Sequence, residues 1–176
     1  MGLQLRWLSL MAYLITGPTF AEGWVRDVWH IVSDDSPFFA PDRPDQNAAA
    51  LLQSDGRFAL LVLGTDAQGA LVSVNLPGTT AAERLTSTLV IANGTVLTRE
   101  ISGDQLLAQP IPDGETVTYS FRIAPGDLES FMAASEWRLN AGGTVTTLTL
   151  DGSRKAVSAA IEARDDTRLY PSRHDD

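Results

Sequence analysis

Short β-favouring runs, separated by strong turn signals, most constrain what this chain can fold into. RFALLVLG (57–64) is apolar throughout and meets TDAQG. ALVSVNL (70–76) stops at Pro77-Gly78, and STLVIA (87–92) meets Asn93-Gly94 and then TVLTREI (95–101). TVTYSFRI (116–123) alternates strictly, with Val117, Tyr119, Phe121 and Ile123 on one side and Thr118, Ser120 and Arg122 on the other. That is the pattern of a sheet with one wet face. EWRLN, the turn Ala141-Gly142-Gly143 and TVTTLTL (144–150) make a further hairpin. Asn-Gly between two apolar runs predicts a type I′ turn, with positive φ at both central residues.

Strands do not alternate with long helices, and no segment repeats. The expected fold class is therefore mainly β: an antiparallel β-sandwich or flattened barrel of about eight strands with two short helices. The helices are LESFMAAS, capped by Asp127, and SRKAVSAAIEARDD, capped by Ser153. Three weaker segments complete the reading. EGWVRDVWHIV (22–32) is β-favouring with both faces apolar, AAALLQ is a strand or one helical turn, and residues 104–109 are a possible further strand.

The N-terminus carries a second message. Arg6 and the free amine precede the apolar stretch WLSLMAYLI. Gly17 and Pro18 break that stretch, and Thr19-Phe20-Ala21 ends it on small residues. This is the grammar of an export signal cleaved after Ala21. A spanning helix needs about 20 apolar residues, and polar or helix-breaking residues interrupt this stretch. An uncleaved anchor over residues 1–20 is the alternative. The expected organisation is a signal at 1–21, one β-sandwich domain at 22–164 and a flexible acidic and polar tail at 165–176. Location follows as periplasmic or secreted, or membrane-anchored if residues 1–20 are retained.

Composition removes several chemistries. The chain has no cysteine, which excludes disulfides, thiol nucleophiles and zinc–cysteine sites. Its formal net charge is −9 with no basic run, so nucleic acid and anionic lipid are poor partners. No Gly-x-Ser-x-Gly elbow, His-Glu-x-x-His helix or glycine-rich phosphate loop occurs. His30 sits near Asp34 and Asp35, as a carboxylate-oriented base would, and equally as an ordinary strand histidine would. His174 lies in the tail. No cofactor is expected.

Residues 33–47 form a long loop broken by Pro37, Pro41 and Pro44. Asp34, Asp35, Asp42 and Asp45 are weak candidate metal ligands, since calcium takes loop carboxylates. The spacing fits no EF-hand, and a solvated loop explains them equally. Phe38 and Phe39 either plug the end of the sandwich or form an exposed partner-binding patch.

Several features together resemble the invasion-associated locus B family of small exported alphaproteobacterial proteins. They are Gly23-Trp24-Val25 after the signal, Phe39-Ala40 after a polar loop, Leu76-Pro77-Gly78, the hairpin STLVIANG and the ending LTLDGSRKAVSAAI. Such proteins usually carry cysteines, and this chain departs from that. The resemblance implies a periplasmic or surface β-sandwich without established catalysis, and it transfers no site residue. The function expected is a non-enzymatic exported protein that binds a partner protein of the cell envelope through the 33–47 loop or an unpaired sheet edge. Two alternatives are an anchored accessory subunit of an envelope complex and a hydrolase or sugar-binding protein using acidic residues. Oligomeric state is left open.

Overall fold

Alternation of side chains across a pleated strand decides which residues meet in the core. The computed structural model describes residues 24–33, 38, 47–64, 69–112 and 115–169. The segment expected to be an export signal and most of the 33–47 loop lie outside them. Among the described residues ten strands form two antiparallel sheets. They are β1 (Trp29–Ile31), β2 (Ala48–Leu52), β3 (Phe58–Leu63), β4 (Ala70–Pro77), β5 (Arg84–Ile91), β6 (Val96–Ser102), β7 (Leu106–Pro110), β8 (Thr116–Ile123), β9 (Ala134–Ala141) and β10 (Thr144–Thr149). The large sheet runs β1-β2-β3-β4-β8-β7 and the small sheet β10-β9-β5-β6. A 3-10 turn (Gly103–Gln105) links β6 to β7, helix α1 (Pro125–Ala133) links β8 to β9, and helix α2 (Ser153–Leu169) follows β10. Neither sheet closes on itself, so the fold is a sandwich and not a barrel.

The inward rows are those the alternation predicts. Val117, Tyr119, Phe121 and Ile123 of β8 join Val72, Val74 and Leu76 of β4, and they face Leu85, Trp137, Leu139 and Leu148 of the small sheet. Four strands cannot cover six. The C-terminal helix completes the cover: Ala156, Val157 and Ala160 of α2 pack with Trp29 and Leu51 on the inner face of the first strands. The outer face of β8 is less wet than its pattern suggests. Thr118 is buried, and the Ser120 hydroxyl bonds that of Ser73 at 2.8 Å.

An aromatic chain ties the layers together. Phe131 of α1 lies edge-on to Trp29 of β1, with ring centroids 5.4 Å apart, and to Trp137 of β9 at 5.3 Å. Trp137 in turn meets Phe121 of β8 at 6.1 Å. Edge-to-face contacts of this kind add to the area they bury. Both indole N–H groups are satisfied: Trp29 Nε1 donates to the Thr149 carbonyl at 2.9 Å and Trp137 Nε1 to the Ser87 hydroxyl at 2.8 Å. The phenol oxygen of Tyr119 accepts the Ala82 N–H where the chain crosses between sheets.

A smaller core covers the opposite face of the large sheet. Strand β2 is buried on both sides, Ala49 and Leu51 facing the main core while Ala48, Ala50 and Leu52 join Val32, Phe38, Phe58 and Leu60. Trp24 rests on Phe38, and Phe38 on Phe58, with centroids 5.4 and 5.7 Å apart.

Several local expectations are corrected. Within residues 24–32 strand pairing is confined to Trp29–Ile31, because Asp27 takes a positive φ of 62° and turns the chain. Its N–H donates to the Leu52 carbonyl, and its carboxylate accepts from both the backbone and the hydroxyl of Ser54. At the β5–β6 hairpin only Gly94 has positive φ, and its N–H bonds the Ile91 carbonyl. This is a type I turn followed by a left-handed glycine, not the expected type I′. The type I′ geometry falls instead at Gly142-Gly143, both with positive φ, where Ala141 pairs with Thr144. Helix α1 begins at Pro125, whose missing N–H costs nothing there, so Asp127 is inside the first turn and not the cap. Ser153 likewise starts α2, and that helix runs four residues past the expected tail boundary at 165.

Two outcomes follow. Replacing Phe131 with Ala leaves Trp29 and Trp137 without their shared neighbour, and should cost about 3–5 kcal/mol in denaturant unfolding. Hydrogen bonds from Ser54 hold the Asp27 carboxyl below its usual 3.8. A depressed carboxyl stabilises the fold above the ordinary value and loses that contribution as pH falls through the lowered one. Asp27→Asn should therefore lower the thermal midpoint at neutral pH, and the gap to the parent chain should narrow as pH drops below 3.8.

Candidate functional site

The residues singled out from the sequence do not converge. His30 is half-buried on β1, with Nε2 at 3.2 Å from the Val25 carbonyl, and its ring lies 5.1 Å from that of Trp24. It therefore donates to backbone and closes the N-terminal turn. Phe38 is 1 % exposed, wedged between Trp24 and Phe58, so it belongs to the core and is not a surface contact. Phe39, Asp34, Asp35, Asp42, Asp45 and His174 lie outside the described residues. Among the described residues, no three His, Asp or Glu side chains come together to hold a metal. No helix there is long and apolar enough to cross a membrane.

The structure instead forms a groove that sequence reading missed. Strand β6 is an edge of the small sheet. Its register with β5 pairs Leu85 with Ile101, Ser87 with Arg99 and Leu89 with Leu97. Leu97, Arg99 and Ile101 thus share the row that looks between the sheets. On the opposing sheet, β7 pairs with β8 only from Val117 to Phe121, so Arg122 and Ile123 run past its end. The sandwich is left open beside them. The opening is a cavity of about 350 Å³, walled by Leu89, Leu97, Ile101, Phe121 and Ile123, with Phe131 and Trp137 also lining it. A second, shallower cleft between α1 and α2 has Glu129, Ser130, Arg154 and Ser158 among its lining residues. Apolar walls with a few polar groups are the usual mark of a binding site, and the first cleft has that character.

Arg99 and Asp127 face each other in the lining of the opening, to which Arg122, in the outer row of β8, also contributes. The Arg99 guanidinium meets the Asp127 carboxylate through one nitrogen at 3.1 Å, and both side chains are about half exposed. An exposed pair of this kind is worth about 0–1 kcal/mol, so it latches the mouth without holding the fold. The available sequence signal was parity: in TVLTREI the arginine falls in the same row as Leu97 and Ile101, where a core-facing strand would carry an apolar residue.

The four sheet edges differ in what they leave unpaired. Strand β1 has three residues and packs against α2. Two outward carbonyls of β10 are occupied, that of Thr147 by Arg57 and that of Thr149 by Trp29. Strand β7 is five residues long and ends in Pro110, which has no N–H to offer. Strand β6 has seven residues, Val96 and Leu97 among the exposed apolar ones, and no group among the described residues bonds to its outer edge.

Comparison of the chain with protein-family models, with curated proteins and with solved structures finds no match.

Arg99→Gln should shift unfolding free energy by less than about 1 kcal/mol. The small difference from the parent should shrink further in 1 M salt, measured by urea denaturation at both ionic strengths.

Proposed function

We propose that this chain is an exported, non-enzymatic β-sandwich of the cell envelope that binds a partner protein by accepting one of its strands on the open edge of β6. The observation that carries this reading is the coincidence of two features. A seven-residue edge whose outer backbone groups meet no partner among the described residues borders an apolar cavity of about 350 Å³. Backbone pairing supplies affinity in strand addition, and pockets for alternate side chains supply selectivity. Here alternate residues of an added strand would project over Leu97, Ile101 and the cavity behind them.

Other features support the same reading. The segment at 1–21 reads as an export signal, and the resemblance to the invasion-associated locus B family points to the same compartment. Among its lining residues the groove has one carboxylate, Asp127, and it faces Arg99. Glycoside hydrolysis requires two carboxyls facing each other across a cleft, so the groove suits binding better than that chemistry. Burial of Phe38 moves the expected contact away from the 33–47 loop and onto the sheet edge.

A photo-crosslinking amino acid placed at Thr98 on β6, and separately at Val145 on β10, tests this in intact cells. Position 98 should give a discrete protein adduct that position 145 lacks. Equal labelling from both edges, or none from position 98, would contradict it.

A further inference from the structure

Resting on that reading, we infer that the segment received at β6 carries an acidic residue between apolar ones, and that its carboxylate takes the place of Asp127 on Arg99. Arg99 is the middle residue of β6 and faces the groove between Leu97 and Ile101. A strand added at this edge lies about 4.8 Å away. Its side chain directly opposite Arg99 comes within about 5.5 Å of it, Cβ to Cβ. The apolar neighbours two residues to either side then fall over Leu97 and Ile101, at the mouth of the cavity.

The charges favour an acid in that central position. The Arg99 guanidinium stands in the groove lining with one carboxylate, Asp127, facing it, although the chain as a whole carries a formal charge of −9. A strand added here meets a guanidinium at mid-edge on an acidic protein, and that charge selects where along a partner the contact is made. The existing pair uses one nitrogen of Arg99. A guanidinium has five donors in a planar fork and binds a carboxylate best through two parallel bonds. Asp127 therefore occupies Arg99 without satisfying it, and an incoming carboxylate that engages both nitrogens replaces it. A second copy of this chain is a poor occupant. Antiparallel pairing of two β6 strands about their central residues sets guanidinium against guanidinium, which is destabilising, and brings together two chains of the same net charge.

Three fluorescein-labelled, capped nonapeptides of alternating Thr and Leu, with Glu, Gln or Lys at the central position, serve as probes. Anisotropy titration reads affinity, and amide chemical shifts on the labelled full chain locate the contact. The Glu peptide should bind about tenfold more tightly than the Gln peptide, and the Lys peptide more weakly than either. Arg99→Gln should abolish the Glu-over-Gln preference, while Asp127→Asn should tighten Glu binding by removing the competitor. Equal binding of the Glu and Gln peptides with shifts confined to 96–102 would overturn the carboxylate inference and leave strand addition standing. No peptide binding at 96–102, with decanoate shifting Phe121, Phe131 and Trp137 instead, would overturn both.

Discussion

Phe131 is the side chain on which the two sheets and both ends of the described chain depend. It is fully buried, contributed by a nine-residue helix, and set edge-on between Trp29 of the large sheet and Trp137 of the small one. A sandwich of unequal sheets, six strands against four, has no natural partner for its surplus inner face. The aromatic chain and α2 fill that space. Trp29 carries the constraint outward, because its indole N–H is spent on Thr149 of β10 and occupies an outward carbonyl of that edge.

The open groove is a consequence of the same packing. Two outward carbonyls of β10 are taken by Arg57 and Trp29, whereas no group among the described residues bonds to the outer edge of β6, the longer edge strand of the small sheet. Strand β7, which would otherwise close the opposite wall, is too short to reach Arg122 and Ile123. Phe131 and Trp137, which hold the layers together, therefore also line the cavity beneath the edge. An unprotected edge is a hazard that soluble proteins ordinarily blunt. Here the blunting is slight: an arginine at mid-strand, latched by a weak ion pair to α1. Such an edge keeps pairing capacity for a matching segment.

Much of the sandwich was legible in the sequence because period-two patterning is local. The alternation in TVTYSFRI put the correct row of β8 into the core, and the turn residues marked the ends of most strands. The finer geometry depended on contacts between distant segments. Asn93-Gly94 carries the sequence of a type I′ turn but adopts the type I form with a left-handed glycine, while Gly142-Gly143 takes the primed geometry. AAALLQ stayed ambiguous because a strand buried on both faces has no alternation to show. Whether Phe38 plugs the fold or faces outward could not be read locally, because the residues that bury it, Trp24 and Phe58, lie on either side of the loop in the chain. The groove was invisible for a related reason: its walls come from β5, β6, β8, β9 and α1, and only register brings them together. The parity of Arg99 in its strand was the one clue that periodicity alone supplied.

The account stands on β6 being a genuinely unpaired edge in the free protein. Residue-resolved amide hydrogen exchange on the full chain tests that directly. Along residues 96–102, amides bonded to β5 should be protected, and the alternate amides facing outward should exchange at rates close to those of open solvent. Uniform protection along the whole strand would mean that the edge is already covered, and would contradict the account.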